Sequence, residues 1–260
     1  MNILIFGFVG AMSGLYSACW GAYKDCLFEK FQSKKFARSI IAGFILGILL
    51  FYFLKANNIT NVNFGVFFLF VMSFERLFTE SLKAFVRNED QEKYKIPSKL
   101  HIFGKTVESK FFRLIIGSIF ISGAFMLFYL PLFVNFKLHG WMGGLFWGAM
   151  AGLIGSAVGG AWKDAPIEGF DPIKFFRSPL VGALWGILIS SFTSNFSLLL
   201  FASIGGERMT VELYKTFVLK SIPGKFCATK PKFEDWIEKR KKFILPYTIV
   251  WIAFIALLIL

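Results

Sequence analysis

Two acidic residues one helical turn apart, Asp25 and Glu29, recur further along the chain as Asp164 and Glu168. At i, i+4 each pair shares a helix face, and paired carboxylates are the hard oxygen donors that Mg²⁺ takes. A lysine precedes each pair, Lys24 and Lys163, and an arginine follows it, Arg38 and Arg177. Cations so placed can clamp a phosphate. These eight residues form a candidate ligand or ion site, with Mg²⁺ as its cofactor if the ligand carries phosphate. The competing reading is a juxtamembrane turn in which Lys and Arg meet anionic head groups while Asp and Glu balance them.

A second set of charges lies inside apolar sequence. Glu75, Arg76, Glu80 and Lys83 are matched by Glu207, Arg208, Glu212 and Lys215. Arg76, Glu80 and Lys83 fall at i, i+4, i+7, on one helix face. Glu75 comes 12 residues after Asn63, about 18 Å along a helix, so it reaches well into a hydrocarbon core about 30 Å thick. Charges at that depth face protein or water. The stripe reads either as a pathway for a solute, ion or substrate head group or as a structural ion-pair network.

Other chemistry is poorly represented. Cys19, Cys26 and Cys227 share no metal-ligand spacing, and His101 and His139 are far apart. A zinc site needs more ligands than these. No P-loop, nucleophile elbow or zincin motif occurs. No catalytic residue is assigned, and an enzyme is the less favoured class.

The elements that must position these residues are membrane helices. The chain has 260 residues, 56% hydrophobic and 17% charged, against the roughly 25% charged residues of a soluble domain. Eight apolar spans are expected at about 3–22, 40–54, 64–82, 112–134, 142–162, 179–192, 196–214 and 243–260. The first, with no basic segment before it, reads as a retained helix rather than a signal peptide. Ser39 and Ser178 are expected as N-caps of the two short spans, with Pro179 at the first helical position. Pro166 is expected to force a turn just after Asp164. Gly43-x3-Gly47 and Gly182-x3-Gly186 offer small faces for close helix packing.

The spans repeat. Gly21–Leu49 and Gly160–Leu188 align without a gap, with 14 of 29 positions identical. GAMSGL at Gly10–Leu15 matches GAMAGL at Gly148–Leu153, and IPSK at Ile96–Lys99 matches IPGK at Ile222–Lys225. The expected fold is an all-α polytopic membrane protein built as a tandem, parallel repeat of four helices, about 1–134 and 141–260. Its pseudo-two-fold axis would lie along the membrane normal. The net charge of +13 is concentrated in the connections 24–38, 87–113 and 215–242, while the fourth of the set, 163–177, carries three basic against three acidic residues. The positive-inside rule puts these in the cytoplasm and both termini on the opposite side. It also accounts for the charge without nucleic acid. Asn58-Ile-Thr and Asn195-Phe-Ser are sequons in short exterior connections, where turn chemistry is the favoured reading.

Three functions fit. The first is a transporter or channel-like protein with a charged site between the two repeats. The second is a non-catalytic structural or accessory subunit that meets other membrane subunits. The third is a membrane-embedded enzyme acting on a phosphorylated lipid head group. The partners common to all three are the lipid bilayer and its anionic head groups.

Overall fold

The computed structural model describes residues 3–88, 91–92, 94–134, 138, 140–220, 226–227 and 230–260. His139 and the second copy of the Ile-Pro-x-Lys motif, at 222–225, lie outside them. Among the described residues the protein is helical apart from one two-stranded hairpin and an isolated bridge between Tyr94 and Phe226. Ten α-helices are described: α1 (Ile3–Glu29), α2 (Ser33–Ala56), α3 (Phe64–Ser81), α4 (Lys110–Phe133), α5 (Gly140–Gly155), α6 (Ala165–Glu168), α7 (Pro172–Ser190), α8 (Phe196–Leu213), α9 (Trp236–Lys239) and α10 (Ile244–Ile259). Three π-helical segments continue them: Leu82–Val86 after α3, Ser156–Asp164 between α5 and α6, and Tyr214–Val218 after α8. β1 (His101–Ile102) pairs antiparallel with β2 (Lys105–Thr106).

Among the described residues six segments are long and apolar enough to cross a membrane: Ile3–Glu29, Ser33–Ala56, Lys110–Phe133, Gly140–Glu168, Pro172–Ser190 and Trp236–Ile259. Their outer faces are apolar. On α2, Ile41, Ile45, Leu49 and Tyr52 are each about half exposed, and on α7 Leu180 and Leu184 are more so. Such stripes on successive helices need an apolar solvent. The chain is an integral, multi-pass membrane protein. α3 and α8 differ from the rest. They have 18 residues each and carry the charged stripe, and most of their length is buried, with every residue from Val66 to Met72 at 0% exposure.

The chain divides into two compact units. The first gathers Met1–Glu75, Glu212–Pro223 and Ala228–Leu260. In it α1 and α2 run antiparallel at backbone contact. A Cβ added to Gly10 would stand 2.2 Å from the Gly43 carbonyl oxygen, and one on Gly14 would meet the Ser39 carbonyl at 2.2 Å. Glycine is required here because only hydrogen fits between the two backbones. α10 closes the unit. Phe254 packs on Phe68 of α3 at 5.2 Å between ring centres, and Asn63 donates to the Leu258 carbonyl at 3.0 Å.

The second unit gathers Arg76–Val211 and Gly224–Cys227. α5 and α7 meet through the same kind of seam. A Cβ on Gly148 would lie 2.3 Å from the Gly182 carbonyl, and one on Gly152 would lie 2.1 Å from that of Ser178. α8 is held by α7 and α4. Trp185 donates to Thr210 at 2.8 Å, and Ser197 donates to the Phe128 carbonyl. Arg113, fully buried at the start of α4, donates to the Arg87 carbonyl and to Asn88.

Three local expectations are corrected. Ser39 and Ser178 are not caps. α2 begins at Ser33 and α7 at Pro172, so both serines sit inside their helices and lend carbonyls to the glycine seams. The cap of α7 is Asp171, whose carboxylate accepts the Lys174 N–H at 3.1 Å, with Pro172 at the first helical position and Pro179 internal. The helix also does not turn at Pro166. The π-helical register carries it past Asp164, Pro166 takes an early position of α6, and the chain turns at Gly169 with φ 85°. Finally, the second spans are helices longer than their apolar stretches rather than half-helices. At 24 residues α2 is about 36 Å long, because the Lys-Phe-x-Arg-Ser segment is its first turns.

Candidate functional site

α1 places polar side chains at Ser13, Tyr16, Ser17, Trp20 and Lys24, spacings of three and four that keep them near one face. From Ser13 to Lys24 the stripe runs about 16 Å. It faces residues of its own unit. The Ser13 and Ser17 hydroxyls meet the Met72 sulfur of α3 at 3.6 and 3.7 Å. Ser17 donates to Glu75 Oε2 at 2.9 Å. Glu75 is 0% exposed.

The Tyr16 hydroxyl lies 3.0 Å from that of Tyr247 on α10, and either oxygen can donate. Trp20 donates to Thr216 at 2.9 Å. The stripe ends where Lys24 stands 3.9 Å from the Trp20 ring centre and 3.8 Å from Asp25. Nearby, Arg240 lies over the Tyr23 ring at 4.5 Å.

What sets the site apart is reversibility. Serine and tyrosine hydroxyls both donate and accept. Ser17 can donate to a carboxylate or accept from the acid, and the tyrosine pair can exchange direction. A buried carboxyl bonded to such a hydroxyl keeps that bond in either protonation state.

The predicted loop residues serve differently. Glu29 pairs with Lys35 at 2.8 Å, bridging the turn between α1 and α2. Glu168 pairs with Lys174 at 3.9 Å across the corresponding turn and with Lys95 at 3.0 Å. Both glutamates therefore hold a turn closed. Asp25, Arg38, Asp164 and Arg177 are half-buried. Among the described residues no three His, Cys, Asp or Glu side chains converge as metal ligands.

Of the stripe, Glu75, Glu207 and Glu212 are buried, Arg76, Glu80, Lys83 and Arg208 are intermediate, and Lys215 is exposed. Glu80 pairs with Lys83 at 2.7 Å and with Lys163 at 3.4 Å, which joins one loop-motif lysine to the stripe. Sequence reasoning singled out Glu75 but not Ser13, Tyr16, Ser17, Trp20, Thr216 or Tyr247. The serine and tyrosine spacing along α1 was the available signal. The α10 partner carried none.

Comparison with known protein families, curated proteins and solved structures finds no match.

Proposed function

We propose that the protein is a transporter or channel-like membrane protein in which Glu75 binds and releases a proton or cation as part of solute movement. One observation carries this reading: a fully buried carboxyl, hydrogen-bonded to a serine, on a polar string within a bundle whose outer faces are apolar. An ionisable group inside a membrane protein is expensive and marks ion or proton paths. The Ser17 hydroxyl and the Tyr16–Tyr247 pair suit proton exchange, because each can hold either direction of its bond.

The reading includes eight crossings, with α3 and α8 as the two beyond the six apolar spans, and basic connections on the cytoplasmic side. It also includes the tandem repeat. Support comes from matched details. α3 and α8 have equal lengths, and each runs into a five-residue π-helical segment. α1 and α6 both end at a motif glutamate followed by a residue of positive φ, Lys30 and Gly169. The glycine seams fall at aligned positions.

Reconstitution into liposomes enclosing a pH-sensitive dye tests the function. Wild-type protein is expected to move protons when an ion or solute gradient is imposed, and Glu75→Gln to abolish the signal while keeping its elution profile. Equal flux by the two proteins would overturn the assignment.

A further inference from the structure

We infer that the second unit holds a binding site for one membrane phospholipid with an anionic head group. The site is a cavity of about 100 Å³ whose lining combines apolar and charged side chains. The apolar wall includes Phe85 from the π-helical segment after α3, Phe120 from α4, and Val158 and Trp162 from the π-helical segment after α5. Val158 and Trp162 are 38% and 41% exposed, so the cavity reaches the outer surface there. On α4 the neighbours of Phe120, Ile119 and Ile121, are also exposed, and the segments Lys110–Phe133 and Gly140–Glu168 are both long and apolar enough to span the bilayer. A lipid chain can lie along this wall without leaving hydrocarbon.

The lining also includes polar groups, with a surplus of positive charge around Glu80. Ser81, Glu80, Lys163 and Lys99 line the cavity. Glu80 faces two lysines, Lys83 at 2.7 Å and Lys163 at 3.4 Å, so one carboxylate is set against two ammonium groups. Ser81 supplies a second, independent sign of a ligand. It is 6% exposed, it lines the cavity, and its hydroxyl has no hydrogen-bond partner among the described residues. A buried hydroxyl left unpaired is costly, and a phosphate or ester oxygen of a lipid would satisfy it.

The backbone is shaped for the purpose. Two of the walls are π-helical, a form found as local widenings at functional sites. His101 of the hairpin fixes one of them, with Nε2 2.9 Å from the Lys163 carbonyl and Nδ1 3.2 Å from that of Lys99. The shorter contact ties the hairpin to the backbone at Lys163.

The test is selective lipid retention. The full chain is placed in nanodiscs of equal phosphatidylglycerol and phosphatidylcholine, re-extracted in mild detergent and weighed by native mass spectrometry. Wild-type protein is expected to keep one phosphatidylglycerol. Val158→Trp, which fills the cavity, should lose it. Lys163→Gln and Ser81→Ala should each lower retention roughly tenfold, the loss expected for one hydrogen bond to a charged group. Excess inorganic phosphate should not displace the lipid. Retention by Val158→Trp at the wild-type level would overturn the proposal, as would equal retention of phosphatidylcholine or displacement by phosphate alone. If Val158→Trp does not assemble, Lys163→Gln decides, and an unchanged adduct there sinks the site.

Discussion

The Ser17 hydroxyl donates to Glu75 Oε2 at 2.9 Å, and both residues are buried, at 6% and 0% exposure. Their substitutions should separate fit from chemistry. Glu75→Gln keeps the shape and an acceptor for Ser17, so thermal stability in detergent should stay near wild type while transport falls. Glu75→Ala leaves the Ser17 hydroxyl without this partner and opens a void, and should cost about 2–4 kcal/mol in addition. Ser17→Ala should cost about 1–3 kcal/mol and reduce flux without abolishing it. A Glu75→Gln protein as unstable as Glu75→Ala would mean that the carboxyl is only structural.

The glycine seams should be intolerant of any side chain. A methyl at Gly10 or Gly148 would meet a backbone carbonyl at 2.2–2.3 Å, and the backbone cannot turn aside as a side-chain tip can. Gly10→Ala and Gly148→Ala should each cost about 1–3 kcal/mol or more, read as a lowered midpoint in fluorescence-detected thermal denaturation. Gly21→Ala serves as the control, since nothing lies within 4 Å of its added carbon.

The caps give a third expectation. Asn195 accepts the Leu198 N–H at 3.0 Å, and its neighbour Ser197 is buried and donates to the Phe128 carbonyl. The Asn195 sequon is thus engaged in starting α8, and expression in a glycosylating host should leave Asn195 unmodified by peptide mass mapping. Asn195→Ala and Asp171→Ala should each cost about 1 kcal/mol, and Asn195→Asp close to nothing.

The connection before α4 should respond to acid. Lys99 donates to Glu108 at 3.0 Å, and this bond, with one from Thr106, holds the exposed Glu108 carboxyl below the usual glutamate range. A carboxyl so depressed favours the folded connection above the ordinary glutamate range. That contribution is lost as pH falls through the lowered value. NMR titration of a Glu108 side-chain label should give a midpoint below that of a free glutamate, returning upward in Lys99→Ala. An unchanged midpoint in that variant would show the ion pair to be idle.

The helical frame was legible because its signals are local. The third spans were placed at 64–82 and 196–214, and α3 and α8 are Phe64–Ser81 and Phe196–Leu213. Their starts are marked by Asn63 and Asn195, whose side chains accept the first free N–H groups. The start of α7 was misplaced because Ser178-Pro179 and Asp171-Pro172 are both plausible caps in sequence. Glycine-seam contact with Gly152 takes up Ser178, and Asp171 is left to cap. The π-helical segments carried no signal, since they differ from α-helix by one residue of register. One clue was present: Gly14 and Gly21 are seven apart, whereas the matching Gly152 and Gly160 are eight apart. The extra residue falls between the two matched glycines, an interval that the wider helix beginning at Ser156 overlaps. The polar string was half legible, because α1 shows its serines but nothing local says that Tyr247 will meet Tyr16.

That tyrosine pair has a consequence for the order in which the protein can be made. α10 follows α3 by some 160 residues of chain, yet it supplies the partner of Tyr16 and covers Gly65 with Leu258. At the usual pace of translation, about 5–20 residues per second, α1 and α3 must wait roughly 10–30 s in the bilayer for it. During that wait the Glu75 carboxyl has Ser17 beside it but no closed wall around it. The first unit cannot be finished while the ribosome is still building the second. The nascent chain therefore needs an insertion machinery that shelters a half-made bundle with a carboxyl at its centre, or lipids that tolerate one.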